Sequence, residues 1–209
     1  MSHYSKYLGL DDGYFPPSFK GRRGRTLIVG CITENTKPLD LIAKFVEVDG
    51  LDATDRAIEI CNEFKKMHGI IEAIFTDGVT YAGFNILNPY EVNNQCKVPV
   101  ITIFRHELYM NKIEIALRKH FPDWSHRFSI IKTTYERSHK VITKRGLLRI
   151  TCIGIDSKVC IDLVSRLQTA FPEPQPLKIA DLTASALSRL LITQRGISSP
   201  GMMRITDDD

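Results

Sequence analysis

A chain of 209 residues, 43% hydrophobic and 25% charged, is long enough for one sizeable domain and short for two, with the composition of an ordinary soluble protein. No apolar stretch approaches the length of a membrane span, and the start, Met1-Ser-His-Tyr-Ser-Lys6, lacks a signal-peptide core, so the expectation is a protein that stays in the cytoplasm. The net charge of +4 leans toward anionic partners.

Strand patterns run over Tyr4 to Asp11, Arg25 to Thr33 and Leu39 to Val48. Their connections are too short for crossover helices, so they form an antiparallel meander. The period then changes to that of a helix from Asp52 to Met67, with Ala53, Ala57, Ile60, Cys61 and Phe64 on one stripe. Asp52 stands where a helix cap belongs, with Asp55 in the first turn. A buried strand follows over Ile70 to Thr76, then a partly helical connection through Tyr81 to Val92, and another buried strand over Val98 to Phe104. Asn111 to His120 reads as a short helix stopped by Phe121-Pro122-Asp123.

Past this point the pattern predicts strands at Phe128 to Lys132 and Leu147 to Ile155, then a helix from Asp156 to Ala170. The segment Phe171-Pro-Glu-Pro-Gln-Pro176 breaks the chain before a last helix to about Leu191. The expected organisation is one domain over residues 1–195 and a flexible tail over 196–209. Five scattered cysteines without a CxxC pair read as small core residues in a reducing compartment.

Two apolar segments each run into an Asp-Gly step, at Leu10-Asp11-Asp12-Gly13 and at Ile74-Phe75-Thr76-Asp77-Gly78. Such a segment delivers a carboxylate to the edge of a sheet, unless it merely makes a turn. Open α/β sheets bind ligands outside the carboxyl ends of their strands. Two acids converging there repel unless a divalent cation joins them. Three antiparallel strands, a helix, and then parallel strands alternating with helices is the chain order of ribonuclease-H-like nucleases. Phosphodiester hydrolysis with Mg²⁺ or Mn²⁺ needs such carboxylates, with positions left for water and phosphate. Adjacent Asp11 and Asp12 point to opposite faces of a strand, so one of them at most is a ligand.

The blocks Gly9-Leu10-Asp11-Asp12-Gly13, Val46-Glu47-Val48-Asp49-Gly50-Leu51-Asp52-Ala53-Thr54 and Thr76-Asp77-Gly78-Val79-Thr80-Tyr81-Ala82-Gly83-Phe84-Asn85 resemble the archaeal endonuclease dU family, formerly of unknown function. Pro99-Val100-Ile101, His120-Phe121-Pro122-Asp123 and Pro176-Leu177-Lys178-Ile179-Ala180 fit it too, so the resemblance covers about Tyr4 to Ile192. That family is similar to endonuclease V. The resemblance implies a mixed ribonuclease-H-like sheet flanked by helices, and metal-dependent cleavage of DNA carrying deaminated bases, deoxyuridine in particular. It places Asp11 and Asp77 as catalytic metal ligands. The glutamate that endonuclease V takes from a Pro-Gly-x-Leu-x-x-Arg-Glu segment has no match here. Asp49 is the substitute, with a turn as its other reading, and Asp52 stands behind it. Where the family usually carries His after Ile-Ala, this chain has Asp181, which is a ligand or a surface residue beside Ser185 and Ser188.

A nucleic-acid substrate needs cations for its phosphates. Lys20-Gly-Arg22-Arg23-Gly-Arg25 is a basic loop after the first strand, and the Lys132 to Arg149 stretch, with Lys140 and Arg145, is strongly basic. Arg105 and His106 emerge on the carboxyl edge within reach of a scissile phosphate. Tyr14, Phe15 and Tyr81 are candidates to stack on a displaced base, or are packing residues. The competing readings are a non-catalytic nucleic-acid-binding or regulatory protein on the same fold, and a small-molecule phosphohydrolase.

Overall fold

The computed structural model describes residues 5–21 and 24–197. Strand β1 (Lys6–Asp12) pairs antiparallel with β2 (Arg25–Glu34), which pairs antiparallel with β3 (Lys37–Glu47). Helix α1 (Ala53–His68) then carries the chain across, and β4 (Ala73–Asp77) lies parallel to β1. A small hairpin of β5 (Thr80–Tyr81) and β6 (Asn85–Ile86) leads into α2 (Pro89–Cys96), and β7 (Val100–Phe104) lies parallel to β4. Helices α3 (Met110–His120) and α4 (Trp124–Glu136) follow, then a hairpin of β8 (His139–Thr143) and β9 (Gly146–Ile153). Helices α5 (Ser157–Leu167) and α6 (Gln175–Ile197) close the described chain. The seven-stranded sheet has the order β3-β2-β1-β4-β7-β9-β8.

The expected antiparallel meander and the parallel pairs that follow it are present. Beyond β7 the sheet is antiparallel again, because β9 returns against β7 and turns into β8. Central strands are buried on both sides, which is why they read as continuous apolar runs. On one face, Leu8, Leu10, Ile28 and Ile74 pack on the α1 stripe of Ala57, Ile60 and Phe64 and on Val92 and Cys96 of α2. On the other, Tyr7, Phe75 and Ile101 meet Cys160, Leu163 and Val164 of α5 and Leu177 of α6.

Helix α6 crosses β1 and β2 closely because two glycines of β1 and its exit offer no side chain. A Cβ on Gly9 would run into the backbone of Pro176 and Leu177. One on Gly13 would lie 2.7 Å from the Ser188 side chain and 2.8 Å from the Ala184 carbonyl. Ser188 is accordingly buried against the sheet, not on a free polar face.

Four expectations are corrected. Phe128 to Lys132 is not a strand but lies within α4. A short apolar run fits either period, and here Trp124, Phe128, Ile131 and Tyr135 recur at helical spacing to pack on Val79, Phe104 and Leu117. Asp52 does not cap α1: its carboxylate accepts from the Glu47 N–H (3.1 Å) and the Asn85 side chain (2.7 Å). Asn85 takes over the helix start, accepting from the Ala53 N–H at 2.9 Å. Cys152 of β9 and Cys160 of α5 are joined as a disulfide, because α5 folds straight back over the strand that precedes it, while Cys31, Cys61 and Cys96 are free and buried as expected. Finally, α6 runs on to Ile197, past the expected helix end at about Leu191; residues 198–209, on which the expected tail falls, lie outside the described residues.

Candidate active site

The carboxyl ends of the parallel strands β1 and β4 deliver Asp11 and Asp77 to one place, and β7 delivers Arg105 just beyond its end. Asp11 is 5% exposed. Its Oδ1 accepts from the Asp12 N–H at 2.8 Å, while its buried Oδ2 has no hydrogen-bond partner. The Arg105 guanidinium pairs tightly with Asp77 and stands 3.6 Å from the free Asp11 oxygen. Its other nitrogen faces Glu173 at 3.5 Å and Asp181 at 3.7 Å. Lys178, one turn before Asp181 on α6, holds that carboxylate at 2.7 Å.

Four carboxylates, two from strand ends, one from the second turn of α6 and one from the proline-rich segment before it, thus surround a single guanidinium. Burial is the main reason that the Asp11 carboxyl is pushed well above its ordinary range, with repulsion from Asp77 and Asp12 adding to it. Burial also raises Asp77, against the lowering pull of Arg105. Arg105 in turn holds its proton more tightly through its hydrogen bond to Asp77. Among the described residues, no three His, Cys, Asp or Glu side chains already converge as a cation cage. The carboxylates are spread around Arg105 instead. Hard carboxylate oxygens, one of them buried and unpartnered, are the donor set that a divalent Mg²⁺ or Mn²⁺ takes. A positive charge is already required at their centre, and Arg105 supplies it.

Asp12 points the other way, as the pleat requires. Its Oδ2 accepts from the Ala82 N–H at 2.8 Å, and burial raises its carboxyl to about 7. A cavity of about 440 Å³ opens beside the cluster, lined by Asp12, Asp77, Phe104, Arg105 and His106.

The remaining candidates divide. Asp181 is brought to the cluster. Asp49 is not: it sits in a left-handed turn (φ 60°) after β3, and its carboxylate accepts from the Phe84 N–H at 2.9 Å. That backbone contact holds the β5–β6 hairpin in place, so the turn reading of Asp49 is the one the fold uses. Glu173, which sequence reasoning missed, takes a place in the cluster. The one signal for it was an acid between two prolines just ahead of a helix. Tyr81 is fully buried and its hydroxyl donates to the Leu10 carbonyl at 2.8 Å, so it does not offer a face to a base. Tyr14 is exposed, with Arg189 over its ring.

Among the cations, Arg25 is exposed at the start of β2, and Arg22 and Arg23 lie outside the described residues. His106 is exposed at the cavity beside Arg105. Lys140 on β8 pairs with Glu107 at 2.8 Å, and Arg145 is exposed in the β8–β9 turn.

The family model for endonuclease dU matches residues 3–188. The chain belongs to that family. A UPF0215 protein of Thermococcus gammatolerans is 30% identical over 185 residues, covering 87% of this chain and 91% of its own. One from Methanothermobacter thermautotrophicus is 32% identical over 184 residues, covering 88% and 87%. Among solved structures, a protein of unknown function from Archaeoglobus fulgidus is similar with a TM-score of 0.74 and 26% identity, over 88% of this chain and 98% of that one. Endonuclease V of Ciona intestinalis, in complex with DNA containing an inosine, is similar in fold with a TM-score of 0.57 and 11% identity, over 93% and 88%. Membership of the endonuclease dU family supports a nuclease, and the fold is similar to that of endonuclease V. No helix among the described residues is long and apolar enough to cross a membrane.

Proposed function

We propose that this endonuclease dU family chain is a divalent-metal-dependent endonuclease acting on DNA that carries deaminated bases, deoxyuridine in particular. The observation that carries the reading is the convergence of Asp11 and Asp77 from adjacent parallel strands, with Asp181 and Glu173, on a single positive charge at the strands' carboxyl edge. The family supports cleavage, and an endonuclease V of the same fold bound to inosine-containing DNA supports a deaminated substrate.

Asp11 and Asp77 would hold Mg²⁺ or Mn²⁺, with Asp181 and Glu173 beside them. When bound, such an ion would supply polarisation of the phosphate and would make water at the site more acidic. The protein's own groups do the rest. Lys178 fixes Asp181, so the α6 carboxylate keeps its place as charge at the centre changes. Arg105, displaced from the acids, is a guanidinium on the strand edge whose planar fork matches a phosphate. His106, exposed beside it, is positioned to meet a neighbouring phosphate. The cavity lined by Phe104 and His106 lies against the acids, where a displaced base has apolar wall and polar edge together.

The test is incubation with uracil-, hypoxanthine- and mismatch-containing oligonucleotides plus Mg²⁺ or Mn²⁺, with an EDTA control. Incision should require the ion and fall by roughly 100-fold or more in Asp77→Asn, since each ~1.4 kcal/mol of lost barrier stabilisation is tenfold in rate. The same variant should keep its fold and its DNA affinity. Binding without incision of any substrate by the unaltered chain would favour the non-catalytic reading, in which Arg105 is a permanent occupant of the acidic centre.

A further inference from the structure

We propose that the β8–β9 hairpin presses its exposed Ile142–Leu147 pair into the base stack of double-stranded DNA beside the acidic centre. The inference rests on the nuclease reading and adds where the duplex is opened and by which side chains.

Strand register sets where the hairpin lies. Arg149 of β9 pairs with Phe104, the last residue of β7. Gly146 is three residues nearer the turn. At ~3.4 Å per residue, the turn therefore stands about 10 Å beyond the carboxyl edge that carries Asp11 and Asp77. The tip is fixed in that position. Val141 and Leu148 are buried in the core against α5. The Thr143 hydroxyl accepts from the Gln168 side chain at 2.9 Å and donates to the Gly146 carbonyl at 2.8 Å.

Alternation along the strands then turns Ile142 and Leu147, which are register partners, to the opposite face. They are 87% and 60% exposed. From Leu147 a groove of about 80 Å³ runs along Lys140 and Arg149 to Arg105 and His106. It shares Phe104, Arg105 and His106 with the larger cavity beside the acids. The apolar pair, the groove and the cavity thus form one path that ends at Asp77.

The occupant follows from charge. Lys140 and Arg149, next on the same face, are engaged within the chain. Lys140 pairs with Glu107 at 2.8 Å, and Arg149 donates to the Ser138 hydroxyl at 2.7 Å with its guanidinium over the Tyr135 ring. Lys144 and Arg145 in the turn are exposed, and neither joins an ion pair among the described residues. An exposed apolar pair beside two unpaired cations complements a duplex with one base step opened. Ile and Leu side chains enter between base steps, and cations meet the phosphates that flank them. Opening a step is also what lets a base leave the stack toward the cavity.

A duplex carrying deoxyuridine, with 2-aminopurine as its neighbour, reports unstacking as a gain in fluorescence. In EDTA the unaltered chain should raise that signal several-fold at saturation. The I142S/L147S variant changes two exposed side chains, so it should keep its circular dichroism spectrum and melting temperature. It should lose most of the fluorescence rise even at saturating protein. With Mn²⁺, its incision of the duplex should fall about tenfold relative to its incision of the same strand unpaired, which needs no opening. The K144A/R145A variant should lower the salt slope of duplex binding by roughly 2, at ~0.9 for each phosphate contact. A full fluorescence rise in I142S/L147S overturns the proposal whether or not the chain cuts DNA. So does an unchanged salt slope in K144A/R145A, or no rise with the unaltered chain. A self-associated chain that I142S/L147S dissociates while the rise persists also overturns it, since the pair would then face a second copy. If the rise and its loss are seen but no substrate is incised, the hairpin's role stands and cleavage alone is refuted.

Discussion

Replacing Arg105 by alanine removes the guanidinium that faces Asp11, Asp77, Glu173 and Asp181. Deleting one partner of a buried ion pair costs ~3–5 kcal/mol, because the other charge is left uncompensated. Here the Arg105 side chain is 31% exposed and Asp77 20%, so solvent screens part of the effect. We expect roughly 2 kcal/mol at pH 8, or about 4–8 °C in Tm for a chain of this size. The sign with pH follows from the acids. The carboxyls of Asp11 and Asp77 are already raised by burial, and loss of the guanidinium raises them further. A raised carboxyl gives stability that is present below its unfolded value and is lost as pH rises through the folded one. The alanine variant should therefore melt with the unaltered protein near pH 3 and fall behind it progressively toward pH 8. Mn²⁺ should restore the variant at pH 8, since it supplies the missing charge. It should also bind the variant about tenfold more tightly by titration calorimetry, because ~1.4 kcal/mol of guanidinium displacement is no longer required. Thermal melts at the two pH values, with and without Mn²⁺, read all of this. An alanine variant that matches the unaltered protein at pH 8 and ignores Mn²⁺ would refute the cation-centred account of this cluster.

Asp12→Asn keeps an acceptor for the Ala82 N–H but removes a carboxyl raised to about 7; that rise, on the order of 4 kcal/mol before relaxation, makes the metal-free protein lose stability from about pH 4 to pH 7, and the variant's urea-unfolding profile should be flatter over that window. Gly9→Ala should cost about 3 kcal/mol by forcing α6 off β1, and should weaken Mn²⁺ binding with it because Asp181 rides on that helix; an unchanged melt would show that the helix gives way freely. Tyr81→Phe should lower stability by about 1–2 kcal/mol through the orphaned Leu10 carbonyl and leave DNA affinity unchanged, whereas a weakened complex at unchanged stability would return Tyr81 to the base-stacking role. Neutralising Arg22, Arg23 and Arg25 together should weaken DNA binding across all sequences and flatten its salt dependence, as measured by fluorescence anisotropy over a salt series.

The sequence alone determined the order of the main elements from β1 to α3 and the two strand ends that carry Asp11 and Asp77. Apolar runs that end in an acid and a glycine are local signals, and so is the α1 stripe from Ala53 to Phe64. Family resemblance rested on contiguous blocks, so it too was legible without a structure. What the tertiary structure decided were matters of partnership between distant segments. Phe128 and Ile131 take a helical role because Val79, Phe104 and Leu117 offer that face. Asp49 and Asp52 spend their carboxylates on Phe84, Glu47 and Asn85, which chain order does not bring to mind. Glu173 joins the acids only because Gly9 and Gly13 let α6 lie against β1, which sets the proline-rich segment beside the strand ends. Arg105, expected as a phosphate contact, stands among the carboxylates because their mutual repulsion in a half-buried site demands a cation. A pattern read along the chain reports what each residue prefers; which groups must share one small volume is fixed by packing.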